Sequence, residues 1–198
     1  GLGTQRWMRN IIDALDDNHR VIAIDTRGMG RSTRGEGPLT YQRQEEDVEA
    51  VLTRLGMRGP FAVVGFSDGG IVGYRLAAEP NSRVSRLVTI GSRWSAENGR
   101  AQWAEWDGYT RAGLLQGPFA AAVTDYERMN PSPDFARLLR ESVAMWKDGA
   151  ATGHPEENVR AIRGRVLAFV GDADPFLSVR DAQGRDVPCR LWTSTMRR

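Results

Sequence analysis

Gly65-Phe66-Ser67-Asp68-Gly69-Gly70 is the stretch on which the fold turns. Before it stands an apolar run, Phe61-Ala62-Val63-Val64-Gly65-Phe66, with the length and composition of a buried strand. After it, Ile71, Val72, Leu76 and Ala77 recur at helical spacing until Pro80 ends the pattern. A serine between two glycines, Gly65-x-Ser67-x-Gly69, at a strand-to-helix junction is the setting of a nucleophile elbow. The turn is expected to be so tight that side chains at 65 and 69 would collide with the adjoining strand and helix. Its hydroxyl is then lifted above the sheet beside a helix N-terminus, whose amide hydrogens favour negative charge. A plain Gly/Ser linker explains the letters but not both flanks. Phosphate binding fits poorly: no Lys follows the glycines as in a P-loop. In Arg27–Gly35, Thr33 stands where a dinucleotide fingerprint needs its third glycine.

Working outward, Trp7, Ile11, Ile12 and Leu15 predict a short helix, and Val21–Ile24 a buried strand running into Asp25 and the loop Arg27–Ser32. Thr40 is placed to cap a helix with a buried stripe of Tyr41, Val48, Val51, Leu52 and Leu55, closed by Gly56. Arg86–Ile90 and Arg165–Val170 predict further strands, the latter ending in Gly171-Asp172-Ala173-Asp174-Pro175. Alternating strands and helices imply an α/β fold with a mostly parallel sheet flanked by helices. From about Arg93 to Arg163 the rhythm breaks into Trp-rich helical segments punctuated by Pro131, Pro133 and Pro155. The expected division is a core over 1–92, a helical lid insertion over 93–163 and the rest of the core over 164–198.

At 198 residues the chain fits one medium-sized domain. Lys and Arg number 27 against 25 acidic residues, and no basic run exceeds two residues, so nucleic-acid binding is not expected. The pI of about 9.0 reflects a small excess of dispersed arginine. The single Cys189 excludes an internal disulfide framework, and His19 and His154 form no recognisable zinc pattern. No apolar run is long enough for a transmembrane helix, so no membrane association is expected. No cofactor or metal is implied, and low cysteine usage makes the cytoplasm the default location.

These motifs resemble the α/β-hydrolase superfamily across nearly the whole chain. Asp25-Thr26-Arg27-Gly28-Met29-Gly30-Arg31-Ser32 resembles the family's D-x-R-G-x-G-x-S loop, a structural brace; Gly65–Gly70 resembles the elbow; Gly171-Asp172-Ala173-Asp174 resembles the late segment that carries the acid. The resemblance implies that Ser67 is the nucleophile and Asp174 the orienting acid, with Asp172 a solvated or capping neighbour. One oxyanion donor is expected to be the N–H of Asp68. The opening Gly1-Leu2-Gly3 resembles the tail of the family's oxyanion loop, making Gly1 or Leu2 the second donor.

The base is expected after the acid, yet no histidine follows Asp174, and His19 and His154 read as surface residues. Asp186–Thr193 resembles the start of the final strand. By resemblance the chain is therefore expected to be a partial one, lacking the first strands and the final His loop. A strand before Gly1 would lie between the Val21 and Phe61 strands, and its loss would leave orphaned backbone groups. Each such group costs about 1–3 kcal/mol when buried, against a total stability of about 5–15 kcal/mol. Poor folding is expected unless those two strands pair directly.

The function implied is hydrolysis of a small or medium uncharged ester, lactone or related acyl compound through an acyl-enzyme on Ser67. Carbon–carbon hydrolysis and perhydrolysis use similar parts. Lid residues such as Trp94, Trp103, Trp106, Tyr109 and Trp146 form the lid's own core or, for a few of them, an apolar pocket wall. The contrasting expectation is a non-catalytic relative that binds a ligand through the same pocket.

Overall fold

The computed structural model describes residues 2–94, 102–148, 156–171, 174, 178–180 and 186–188. Two compact units emerge, one from residues up to Leu39 with Asp107–Val143, the other from Thr40–Trp106 with Ala144 onward.

The second unit holds a parallel sheet in the order β1-β2-β3, formed by Phe61–Phe66, Val84–Ile90 and Arg165–Phe169. Phe66 pairs with Ile90 and Ile90 with Phe169, so the three strands end in one row. Helix α3 (Asp68–Ala78) buries Ile71, Val72, Leu76 and Ala77, the face predicted from their spacing. Its Tyr74 hydroxyl lies 3.2 Å from Thr89 Oγ1 of β2, satisfying two buried polar groups.

Helix α2 (Tyr41–Arg54) begins where expected, with the Thr40 hydroxyl accepting the Arg43 N–H at 3.1 Å, and Gly56 follows at φ 66°. Its buried face departs in part from the predicted stripe: Tyr41 is buried as expected, but so are Gln44 and Glu45, whereas Leu55 is exposed. Partners on other elements explain this. Arg75 Nε of α3 donates to Glu45 at 2.8 Å, and Gln44 Nε2 lies 3.4 Å from Met145 Sδ. Burial pushes the Glu45 carboxyl up despite the opposing Arg75 charge. Arg75→Ala would leave that carboxylate buried without its cation, and a loss of about 3 kcal/mol is expected in urea unfolding. An unchanged midpoint would show the pair to be dispensable.

In the first unit a 3-10 turn (Gln5–Met8) leads into α1 (Arg9–Asp16). Asp25 holds the following loop: Oδ1 accepts the Gln5 N–H at 2.8 Å, Oδ2 the Arg31 N–H at 3.1 Å, and its carbonyl the Ser32 hydroxyl at 2.7 Å. Gly30, at φ 49°, is required because a Cβ there would lie 2.2 Å from Asp25 Oδ2. Asn130 Nδ2 reaches the carbonyls of Gly28, Gly30 and Ser32 at 3.1–3.3 Å. The loop is thus a hydrogen-bonded brace.

Val21–Ile24 forms no strand, contrary to its β-branched composition. A strand is stabilised by its ladder, and this run has no ladder partner among the described residues. The region around Asp186 also differs from expectation: β5 (Asp186–Pro188) pairs antiparallel with β4 (Ser178–Arg180) in a separate two-stranded sheet. Between β2 and β3 the described residues contain only helices: α4 (Trp103–Asp107), α5 (Arg111–Leu115), α6 (Ala120–Met129), α7 (Phe135–Lys147) and α8 (Glu156–Arg160). No helix among the described residues is long and apolar enough to cross a membrane.

Candidate active site

Ser67 stands at the junction of β1 and α3 with φ 52° and ψ −122°. It is the one non-glycine residue with positive φ among those described. For a residue bearing a Cβ this region costs about 1–3 kcal/mol and persists only where surroundings impose it. Here they do. The Ser67 N–H donates to the Ile90 carbonyl at 2.9 Å, and its own carbonyl accepts the Ser92 hydroxyl at 2.7 Å. The Ser67 backbone is thereby tied at both ends to the exit of β2.

The crowded glycines are not the expected pair. A Cβ on Gly65 would lie 2.4 Å from the Gly69 carbonyl oxygen, and one on Gly70 would lie 1.9 Å from Ser92 Oγ. At Gly69 nothing described lies within 4 Å of that position. The collision predicted for residue 69 is therefore absent, because its backbone, not its side-chain direction, faces Gly65.

The residue after the serine sits in a polar cluster that the linear sequence gave no means of assembling. Asp68 Oδ1 accepts the Tyr41 hydroxyl at 2.7 Å, and Oδ2 accepts the Trp146 indole N–H at 2.8 Å. Tyr41 is fully buried; burial, then the Asp68 charge, hold its hydroxyl protonated well above the usual tyrosine range, with nearby Arg93 working the other way. Arg93 donates to the Trp146 carbonyl at 2.8 Å, and its guanidinium carbon lies 5.0 Å from the Trp106 ring centroid. Trp106 meets Trp146 edge-on at 5.5 Å. Trp106 and Trp146 were legible as aromatic residues of the insertion; nothing flanking Tyr41 or Arg93 marked either one.

Asp174 follows β3, and its Oδ2 lies 3.2 Å from where a Cβ on Gly91 would stand. Gly91, just past β2, donates its N–H to the Phe169 carbonyl at 2.8 Å. Ser67, Asp68 and Asp174 thus share the edge formed by the C-terminal ends of the parallel strands, where open α/β sheets place their ligands. Leu2 is buried in the other compact unit. His19 is exposed, its Nδ1 3.3 Å from the Leu15 carbonyl at the end of α1. Gly1, His154, Asp172 and Cys189 lie outside the described residues.

Comparison with known proteins agrees with this architecture. A bifunctional esterase/perhydrolase from Acinetobacter calcoaceticus is 34% identical over 91 residues, covering 46% of this chain and 33% of that protein. The chain thus spans about a third of that relative's length. A 3-oxoadipate enol-lactonase from Acinetobacter baylyi is 29% identical over 201 residues, covering 92% of this chain and 72% of that one. The crystal structure of NosK from Streptomyces actuosus, 24% identical, superposes with a TM-score of 0.69 over 88% of this chain and 74% of its own. The family model of the alpha/beta hydrolase fold matches residues 1–173. With most of its length matched by that model, the chain belongs to the α/β-hydrolase family.

Proposed function

We propose that this chain carries the core of a serine hydrolase acting on a small or medium uncharged ester, lactone or related acyl compound. Ser67 Oγ bonds to the carbonyl carbon as its proton passes to a general base, and the carbonyl oxygen becomes an oxyanion facing the Asp68 N–H. Collapse breaks the bond to the leaving oxygen, which departs as the alcohol after taking up the proton. Water then releases the acid from the acyl-enzyme. Asp174 is the acid that orients the base. The base itself is assigned to no described residue, since His19 lies exposed at the end of a surface helix.

The observation that carries this reading is the positive φ of Ser67, held by hydrogen bonds to Ile90 and Ser92. Strain maintained at a lone serine beside a helix N-terminus is a feature of reactive nucleophiles. The substrate class is suggested by the aromatic composition of the 93–163 insertion, of which Trp106 and Trp146 belong to the same compact unit as Ser67. On this reading 93–163 is the lid, inserted between core segments 1–92 and 164–198. A fluorophosphonate probe, applied to a version of the chain extended at both ends so that it carries a histidine after Asp174 and followed by peptide mapping, is the test. Stoichiometric adduct on the peptide bearing Ser67 is expected; a well-folded chain that takes up no probe would favour a ligand-binding relative instead.

A further inference from the structure

We propose that Tyr41 and Trp146 are positioning residues of this site, clamping the Asp68 carboxylate so that the Asp68 backbone N–H is held where the oxyanion forms. The inference rests on the serine-hydrolase reading above. Asp68 is the first residue of α3, and the N–H groups of a helix's first turn point out of its N-terminus. The next two residues are Gly69 and Gly70, which have no side chains with which to anchor that turn and which carry the greatest backbone freedom. Among the first three residues of α3, Asp68 is therefore the one whose side chain can anchor the turn.

The two grips come from different elements. Tyr41 is the first residue of α2, and Trp146 lies one residue from the end of α7. Tyr41 donates to one carboxylate oxygen at 2.7 Å and Trp146 to the other at 2.8 Å, and bonds to both oxygens constrain the position and the rotation of the carboxylate. Only one carbon separates the carboxylate from Cα, so fixing it leaves little play in the attached N–H. Trp146 is itself held by the Arg93 bond to its carbonyl and by the edge of Trp106. Preorganised donors act only when held close to the productive position.

The test compares probe concentration dependence at Ser67 in Tyr41→Phe, Trp146→Phe and Asp68→Ala with that in Glu45→Gln. The last perturbs the Glu45–Arg75 pair between the same two helices, α2 and α3, without touching Asp68. All four are assayed in the full chain at a temperature where circular dichroism shows them folded. In Tyr41→Phe and Trp146→Phe, kinact is expected to fall roughly tenfold, and in Asp68→Ala by about a hundredfold, with KI unchanged. Glu45→Gln is expected to unfold at lower temperature yet label at the unsubstituted rate. If Asp68→Ala fails to fold, Tyr41→Phe and Trp146→Phe carry the comparison. Equal kinact in Tyr41→Phe and Glu45→Gln would overturn the clamp while leaving Ser67 as nucleophile. Absence of labelling in the unsubstituted chain would overturn the hydrolase reading, and the clamp with it.

Discussion

Ser67→Ala is expected to abolish probe labelling and to lower any ester turnover by about 10,000-fold or more. On the proposed mechanism the Ser67 hydroxyl oxygen bonds to the acyl carbon, and the nearby Ser92 hydroxyl is not free to take its place. Ser92 Oγ is already committed to the Ser67 and Ile90 carbonyls at 2.7 and 3.1 Å. Stability should be nearly unaffected, within about 0.5 kcal/mol, because alanine keeps the Cβ and meets the same φ of 52°. Ser67→Gly should lose the same activity yet gain stability. Glycine relieves strain of about 1–3 kcal/mol, offset by about 0.4–1 kcal/mol for the greater freedom of the unfolded chain. Thermal midpoints of the two variants check this pair of expectations, and a midpoint for Ser67→Gly well below that of Ser67→Ala would show that the elbow carries no strain.

Gly65→Ala should be the most damaging single methyl in the elbow. The three atoms nearest its Cβ all belong to backbone: Gly69 O at 2.4 Å, Gly69 C at 2.5 Å and Gly70 N at 2.5 Å. A flexible side chain could swing away from such a contact. A helix turn cannot, short of lifting the start of α3 off β1. The expected cost is about 3 kcal/mol, toward the upper end of overpacking losses, with labelling of Ser67 lost as the first turn shifts. Gly69→Ala is the contrast. With open space at its Cβ and no positive φ, it should be tolerated, and helix propensity predicts a gain of up to about 1 kcal/mol. Urea midpoints for the two variants should therefore move in opposite directions; similar losses in both would show that both glycines are needed for a common reason.

The contrast between residues 65 and 69 also shows how far local pattern carries. Strand, serine and helix were readable around Ser67 because an apolar run, two glycines and a helical stripe all lie within twenty residues. Which glycine is crowded was not, since that depends on how the helix axis leaves the strand. Val21–Ile24 shows the same boundary from the other side: β-branched residues favour extension, but a ladder needs a partner at the right distance. The partly misplaced stripe of α2 has a related cause. Its apolar spacing was sound as a helix signal, yet Glu45 and Gln44 are buried because Arg75 and Met145, 30 and 101 residues away in sequence, meet them.

By itself, the amino-acid sequence determined the elements that local chemistry can specify: the strand–elbow–helix unit at Ser67, the Thr40 cap, the Asp25 loop and Asp174 at the end of a strand. Tertiary structure alone decided which distant side chains converge on the residue after the serine. Tyr41, Arg93, Trp106 and Trp146 carry no shared spacing, and each is an ordinary core residue until packing brings it within bonding distance of another. Hydrogen bonds and ring contacts act over a few ångströms of space, whereas periodicity reports only on neighbours along the chain.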